Sequence, residues 1–345
     1  MFKSKIDQKY VEDILMKLLS TPSPSGFCHD IMKIVEEEVL NLGFSFEKTN
    51  KGNGIITIPG VKEECLGLSA HVDTLGAMVR SITREGTLKL TLIGGYMLNA
   101  IEGEYCKIHT RDGRVYEGTI LTTHPSVHVY KDARDMKRED QNMEVRIDEI
   151  VHSKSEVEEL GIRVGDFISF DARPKLFENG FVKSRHLDDK ASVAALFGFM
   201  ELMKRENIQP QKTIKIFITT YEEVGHGAAF IPHNIEEFIA IDMGAIGDDL
   251  SCSELDVSIC AKDSSGPYDY DMTSRLIQLA KEEEIEFVVD IYPQYGSDAS
   301  AALRGGNDIR AALIGPGVHA SHSMERTHMK AIINTGALIS AYVIK

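Results

Sequence analysis

The chain is poor in the features that mark secreted, membrane or nucleic-acid-binding proteins. Its five cysteines (Cys28, Cys65, Cys106, Cys252 and Cys260) are odd in number, widely scattered and form no CxxC pair. That argues against a disulfide framework and for reduced thiols. No stretch approaches the roughly 20 apolar residues of a membrane span. The opening "MFKSKIDQKYVEDILMKLLS" mixes charges with apolar residues at helical spacing, so it lacks the uninterrupted core of a signal peptide. Basic residues are outnumbered, 38 Lys and Arg against 53 Asp and Glu, and the formal net charge of −15 opposes a partner held through phosphates. There is no internal repeat and no low-complexity segment. These absences set the expectation of a cytoplasmic protein with no nucleic-acid or membrane partner.

What is present reads as two kinds of texture in 345 residues, more than the roughly 250–300 at which one core stops growing. The start reads helix, breaker ("TPSPSG"), amphipathic helix ("DIMKIVEEEVLNLG") and then a short apolar strand, "CLGLSA". From about residue 77 come short alternating runs with Gly, Asp and Asn turns: "LKLTLIGG", "EYCKIHTRDGRVYEGTIL" and "GDFISFD". They mark a small all-β module, with "TRDGRV" as a hairpin turn. After about residue 182, helices alternate again with buried strands such as "TIKIFITT", "EFIAIDM" and "RAALIG". The expectation is an α/β fold, a mixed and largely parallel sheet flanked by helices, formed by residues 1–76 with 179–345. A small β domain, 77–178, is inserted into it.

Metal-ligand residue types gather at the ends of the apolar strands, where open α/β sheets bind their ligands. "SAHVDTLG" supplies His71 and Asp73, and "SRHLDDKAS" supplies Asp188 and Asp189. "TTYEEVGHG" supplies Glu222, Glu223 and His226, "AIDMG" supplies Asp242, and "GVHASHSMERTH" supplies His319, His322 and His328. Each has a plain alternative. His71 and Asp73 suit a polar strand end as well as a ligand with its orienting carboxylate. Asp188 suits a helix cap as well as a carboxylate shared by two cations, with Asp189 then free to cap. Glu222 and Glu223 repel each other unless they are solvated or lie near positive charge. Asp242 is a lone carboxylate in an apolar strand, so it needs a partner. The three late histidines cannot all be ligands. The inserted segment adds nothing obvious to this set. Taken together, the groups suit a dinuclear site of N and O ligands, with zinc first and cobalt or manganese also acceptable.

In their order and spacing these motifs resemble the M42 family of dinuclear metallo-aminopeptidases, the glutamyl-aminopeptidase-like group that includes the tetrahedral peptidases. The likeness runs from "STPSPSG" through "LSAHVDTLGAMV", "FENGFVKSRHLDDKASVAAL", "TTYEEVGHGAA" and "AIDMG" to "GVHASHSMERTH". It implies that His71 binds one of two metal ions and that Asp73 orients it. Asp188 would bridge the ions, Glu223 would ligate one of them, and Asp242 and His322 would complete the set, with His319 as a rival to His322. Glu222 would be the general base. The inserted domain would mediate assembly, into dimers or into a tetrahedral dodecamer built from them. The sequence departs from the family pattern at Lys190, where arginine is common, and around the last histidine.

The resemblance therefore implies hydrolysis of N-terminal residues from short peptides, by a water held between two metal ions and deprotonated by Glu222. An N-acyl-amino-acid deacylase would keep the metals and change the substrate. A non-catalytic assembly protein on the same fold is the alternative of another class.

Overall fold

The computed structural model describes residues 1–345. At the centre of the main sheet four strands run parallel, in the order Lys212–Thr219, Lys62–His71, Ile235–Ile241 and Arg310–Val318. Register places Ile216 and Ile239 on either side of Leu68, all three fully buried. Such β-branched and aliphatic runs suit strands covered on both faces. Antiparallel strands close both flanks. Ser45–Lys48 and Gly54–Ile58 lie on one side, and Val257–Asp263 on the other, with Phe287–Ile291 beyond it. The mixed, largely parallel sheet expected from the sequence is the sheet observed.

One helix lies deep in the structure. Leu187–Arg205 is buried over nearly all its length and packs against the helices Gln8–Leu19 and Met329–Ile344. A helix apolar on every side can exist in water only by such wrapping. Gln8–Leu19 is started by Asp7, whose side chain accepts the Tyr10 N–H, and it buries Val11, Ile14, Leu15, Leu18 and Leu19. His29–Asn41 ends just before Gly43, whose φ of +79° turns the chain at low steric cost. No helix is long and apolar enough to cross a membrane.

The all-β texture becomes a closed six-stranded barrel. Its strands are Gly76–Ile82, Leu88–Ile93, Met143–Ile147, Val115–Thr122, Tyr105–His109 and Phe167–Phe170 in order around the wall. The "TRDGRV" turn joins two antiparallel strands, and Gly113 takes the positive φ. The barrel is filled by its own cluster of 16 buried residues, none shared with the 53-residue cluster under the sheet.

All four central strands end at the same edge, and backbone contact there is close. Asp242 donates its N–H to the Ile314 carbonyl at 2.9 Å. A Cβ on Gly315 would lie 1.8 Å from the Asp242 carbonyl oxygen. Gly315→Ala must therefore push Asp242 off the sheet edge, an overpacking cost of about 1–3 kcal/mol. Thermal unfolding should show a midpoint several degrees lower for Gly315→Ala. Gly247→Ala, whose added Cβ meets nothing within 4 Å, should unfold as the parent does.

Candidate metal centre

Each sequence-marked segment reaches the common edge. His71 is the last residue of its strand, and Glu222 and Glu223 follow Thr219 by a few residues. Asp242 follows Ile241 directly, and His322 lies just past Val318. Asp188 and Asp189 precede the regular turns of the buried helix in non-helical conformations, joined by a cis peptide bond. Of these, Asp188, Glu222, Glu223, Asp242 and His322 line a cleft of about 710 Å³.

The Asp188 carboxylate is divided between two histidines. Its Oδ1 lies 3.2 Å from His71 Nε2, and its Oδ2 lies 3.3 Å from His322 Nε2. Glu222 Oε2 stands 3.6 Å from His71 Nε2, and Glu223 Oε2 stands 3.5 Å from His322 Nε2. Both imidazoles hold a backbone carbonyl with the opposite nitrogen: Nδ1 of His71 faces the Asp73 carbonyl at 2.9 Å, and Nδ1 of His322 faces the Gly95 carbonyl. A carbonyl only accepts, so each Nδ1 carries a proton and each Nε2 is the atom turned toward the carboxylates. Positive charge is needed between Nε2 and those oxygens, supplied by a second ring proton or by a cation in its place.

The wider electrostatics say the same. Asp188, Asp189 and Asp242 are buried, and the side chains of Glu222 and Glu223 are nearly so. Burial, aided by the neighbouring acids, pushes Glu222, Glu223 and Asp189 well above the ordinary carboxylate range and Asp242 up to about 7. Burial would lower His322, yet Asp188 and Glu223 hold it up at about 10. His71 is likewise raised well above its usual value against its burial, chiefly by Asp188 and Glu222. Donor atoms of His71, Asp188 and Glu223 lie within 4.8 Å of one another, as do those of His71, Asp189 and Asp242. Asp189 Oδ1 is buried without a hydrogen-bond partner. The cluster has donors in excess and too little positive charge, so its residues fit divalent cations.

Some expected details differ. Asp73 meets His71 through its carbonyl, while its carboxylate stands 3.6 Å from the ring. That carboxylate instead accepts the N–H groups of Glu222 and Glu223, at 3.1 and 3.3 Å, and the Ser25 hydroxyl. Asp189 accepts the His71 N–H at 3.2 Å. Of the other histidines, His319 is exposed, His328 caps the last helix through Nδ1, and His226 is an exposed ring stacked on Tyr221. His186 is buried, and its pKa is lowered mainly by that burial. Lys190 is buried and donates to the Thr21 carbonyl, and Arg326 pairs with Glu254.

The sequence reading missed three supports. Glu325 is buried, and its two oxygens accept the N–H groups of Asp188 and His322, both at 3.0 Å. Asp298 accepts the Thr219 hydroxyl at 2.6 Å and the Ala228 N–H at 2.8 Å, so it ties the two ends of the turn that carries the glutamates. Gly95–Met97, a loop that follows a barrel strand, forms one cleft wall, so the inserted segment does reach the site. Only "SDAS", with Ser297 as the cap before Asp298, carried a signal in sequence, and it suggests a helix start rather than a brace.

Comparison with known proteins agrees with this geometry. Residues 52–338 match the M42 glutamyl aminopeptidase family. YhfE of Bacillus subtilis (strain 168), provisionally named an aminopeptidase, is 48% identical over 333 residues, 96% of each chain. The lysyl aminopeptidase of Pyrococcus furiosus is 26% identical over 67% of this chain and 65% of its own. The TET1 peptidase of Pyrococcus horikoshii, described as able to assemble into a tetrahedron or a large octahedral shell, superposes with a TM-score of 0.86. It is 25% identical and covers 97% of this chain and 99% of its own. The chain belongs to the M42 aminopeptidase family and is a peptide-bond hydrolase of that metal-dependent group.

Proposed function

We propose that the protein is a two-metal aminopeptidase that removes N-terminal residues from short peptides. The observation that carries this reading is the division of Asp188 between His71 and His322, with one glutamate on each side. His71, Asp188 and Asp242 would hold one divalent cation, and Asp188, Glu223 and His322 the other. The N and O donors suit zinc and accept cobalt or manganese. Bound there, such ions polarise the scissile carbonyl and make water a stronger acid.

The protein's own part is positioning and proton transfer. Glu222 takes a proton from the attacking water and gives it to the leaving nitrogen as the C–N bond breaks. The Asp73 carboxylate fixes Glu222 and Glu223 through consecutive N–H groups, which sends their side chains to opposite sides of the site. Glu325 does the same for Asp188 and His322.

In this reading residues 1–76 with 179–345 form the catalytic part and residues 77–178 an assembly part. The separate barrel core supports that division. Exposed Tyr105, Val115 and Ile150 offer apolar surface for contact between copies, as a dimer or a tetrahedral dodecamer requires. Five unpaired, buried thiols suit the cytoplasm.

Glu222→Gln should lower kcat by about 10²- to 10⁴-fold while elemental analysis finds the parental metal content; retained turnover would remove Glu222 from the base role. Chelation should abolish cleavage of free-amine peptides and lower the unfolding midpoint, because ions that bind only the folded chain stabilise it by mass action. Zinc, cobalt or manganese should restore both. His322→Ala should cost bound metal and activity, and His319→Ala should cost neither; the reverse pattern would make His319 the ligand.

A further inference from the structure

We propose that Arg304 recognises a carboxylate on the substrate; this inference rests on the peptidase reading above and names what the cleft selects. Arg304 is the last residue of the helix Asp298–Arg304 and lines the same 710 Å³ cleft as the glutamates. The other charged or titratable acid and imidazole groups of that lining are Asp188, Glu222, Glu223, Asp242 and His322. Each has a place in metal binding or proton transfer, which leaves Arg304 as the one charge facing the cleft without a task in the chemistry.

Arg304 is also unengaged. Arg185, Arg310 and Arg326 are each tied to a carboxylate. The Arg304 side chain is exposed and makes no ion pair or hydrogen bond with the chain, although the protein has 15 more acidic than basic residues. A cation at a helix C-terminus gains a little from the helix dipole, but that gain needs no cleft. A guanidinium keeps its charge at all working pH values and offers paired N–H donors that match a carboxylate. A short peptide bound with its amine at the metal end can present a carboxylate from two sources: an acidic side chain, or its own C-terminus. Either would find Arg304 as its only cationic partner of fixed charge in the cleft.

Three peptides separate the sources: Leu-Gly-Gly-amide, without a carboxylate; Leu-Gly-Gly, with a C-terminal one; and Glu-Gly-Gly-amide, with one on the side chain. Metal-loaded parent, Arg304→Ala and Arg304→Lys would be assayed on all three, with unfolding midpoints to confirm the fold. In the parent, kcat/KM for one carboxylate peptide should exceed that for Leu-Gly-Gly-amide by roughly 10- to 100-fold, the range of a hydrogen bond to a charged group. Arg304→Ala should bring that ratio close to one, through KM, and Arg304→Lys should restore part of it. The peptide that carries the gain identifies the source. No gain in the parent, or a gain that survives Arg304→Ala, overturns the inference while leaving the peptidase reading intact. If none of the three is cleaved, the peptidase reading fails. Calorimetric binding of the same peptides to parent and Arg304→Ala then decides the role of Arg304 separately: carboxylate-dependent binding lost in the variant supports it, and equal binding overturns it.

Discussion

The structure depends on one electrostatic constraint: five carboxylates crowd the buried edge of a parallel sheet, opposed within the protein by only two imidazoles. Removing charges from water is costly, and like charges at this range raise the cost further. A chain that needed only stability would fill this edge with apolar side chains. Its retention of Asp188, Asp189, Glu222, Glu223 and Asp242 makes sense when cations complete the site. The Nδ1 contacts of both histidines prepare for this by turning both Nε2 atoms inward.

The surrounding acids do not add cationic partners; they hold backbone. Asp73 accepts the N–H groups of Glu222 and Glu223, Glu325 accepts those of Asp188 and His322, and Asp189 accepts that of His71. Five of the groups at the centre are thus fixed through their own peptide N–H by a buried carboxylate. Hydrogen bonds from neutral amides favour the ionised form of these acids without reducing the net negative charge of the edge. Asp242 is held differently, since its N–H joins the sheet ladder through Ile314. Gly315 keeps the backbone spacing there open. The arrangement gives precise placement while leaving the demand for cations unmet by the protein.

Much of this was legible in the sequence because parallel strands must end at one edge, so short apolar runs that finish in His, Asp or Glu can be gathered without coordinates. The barrel was legible through its alternation and its Asp-Gly turn. Other features carry no such mark. Glu325 sits in "SMERTH" among polar residues, where a buried brace and a solvated carboxylate read alike. The Asp73 carboxylate was expected beside the His71 ring, and only geometry shows that the peptide carbonyl takes that place. Gly95–Met97 contributes a carbonyl and apolar surface, neither of which belongs to the residue types that flag a metal site.

That last contact changes what the inserted barrel means for the site. His322 has a φ of +64° and lies on a loop, so regular secondary structure does not fix its ring. Besides the Nε2 contacts with Asp188 and Glu223, two others hold it: the backbone N–H to Glu325, from the α/β part, and Nδ1 to Gly95, from a loop attached to the barrel. Tyr96 reinforces the second by donating to the Gly76 carbonyl at 2.8 Å, where the chain enters the barrel. A rigid shift of the barrel would therefore carry Gly95 with it and turn the His322 ring away from Asp188 and Glu223. The part of the chain that carries exposed Tyr105, Val115 and Ile150 thus also sets the angle of one imidazole through a single carbonyl.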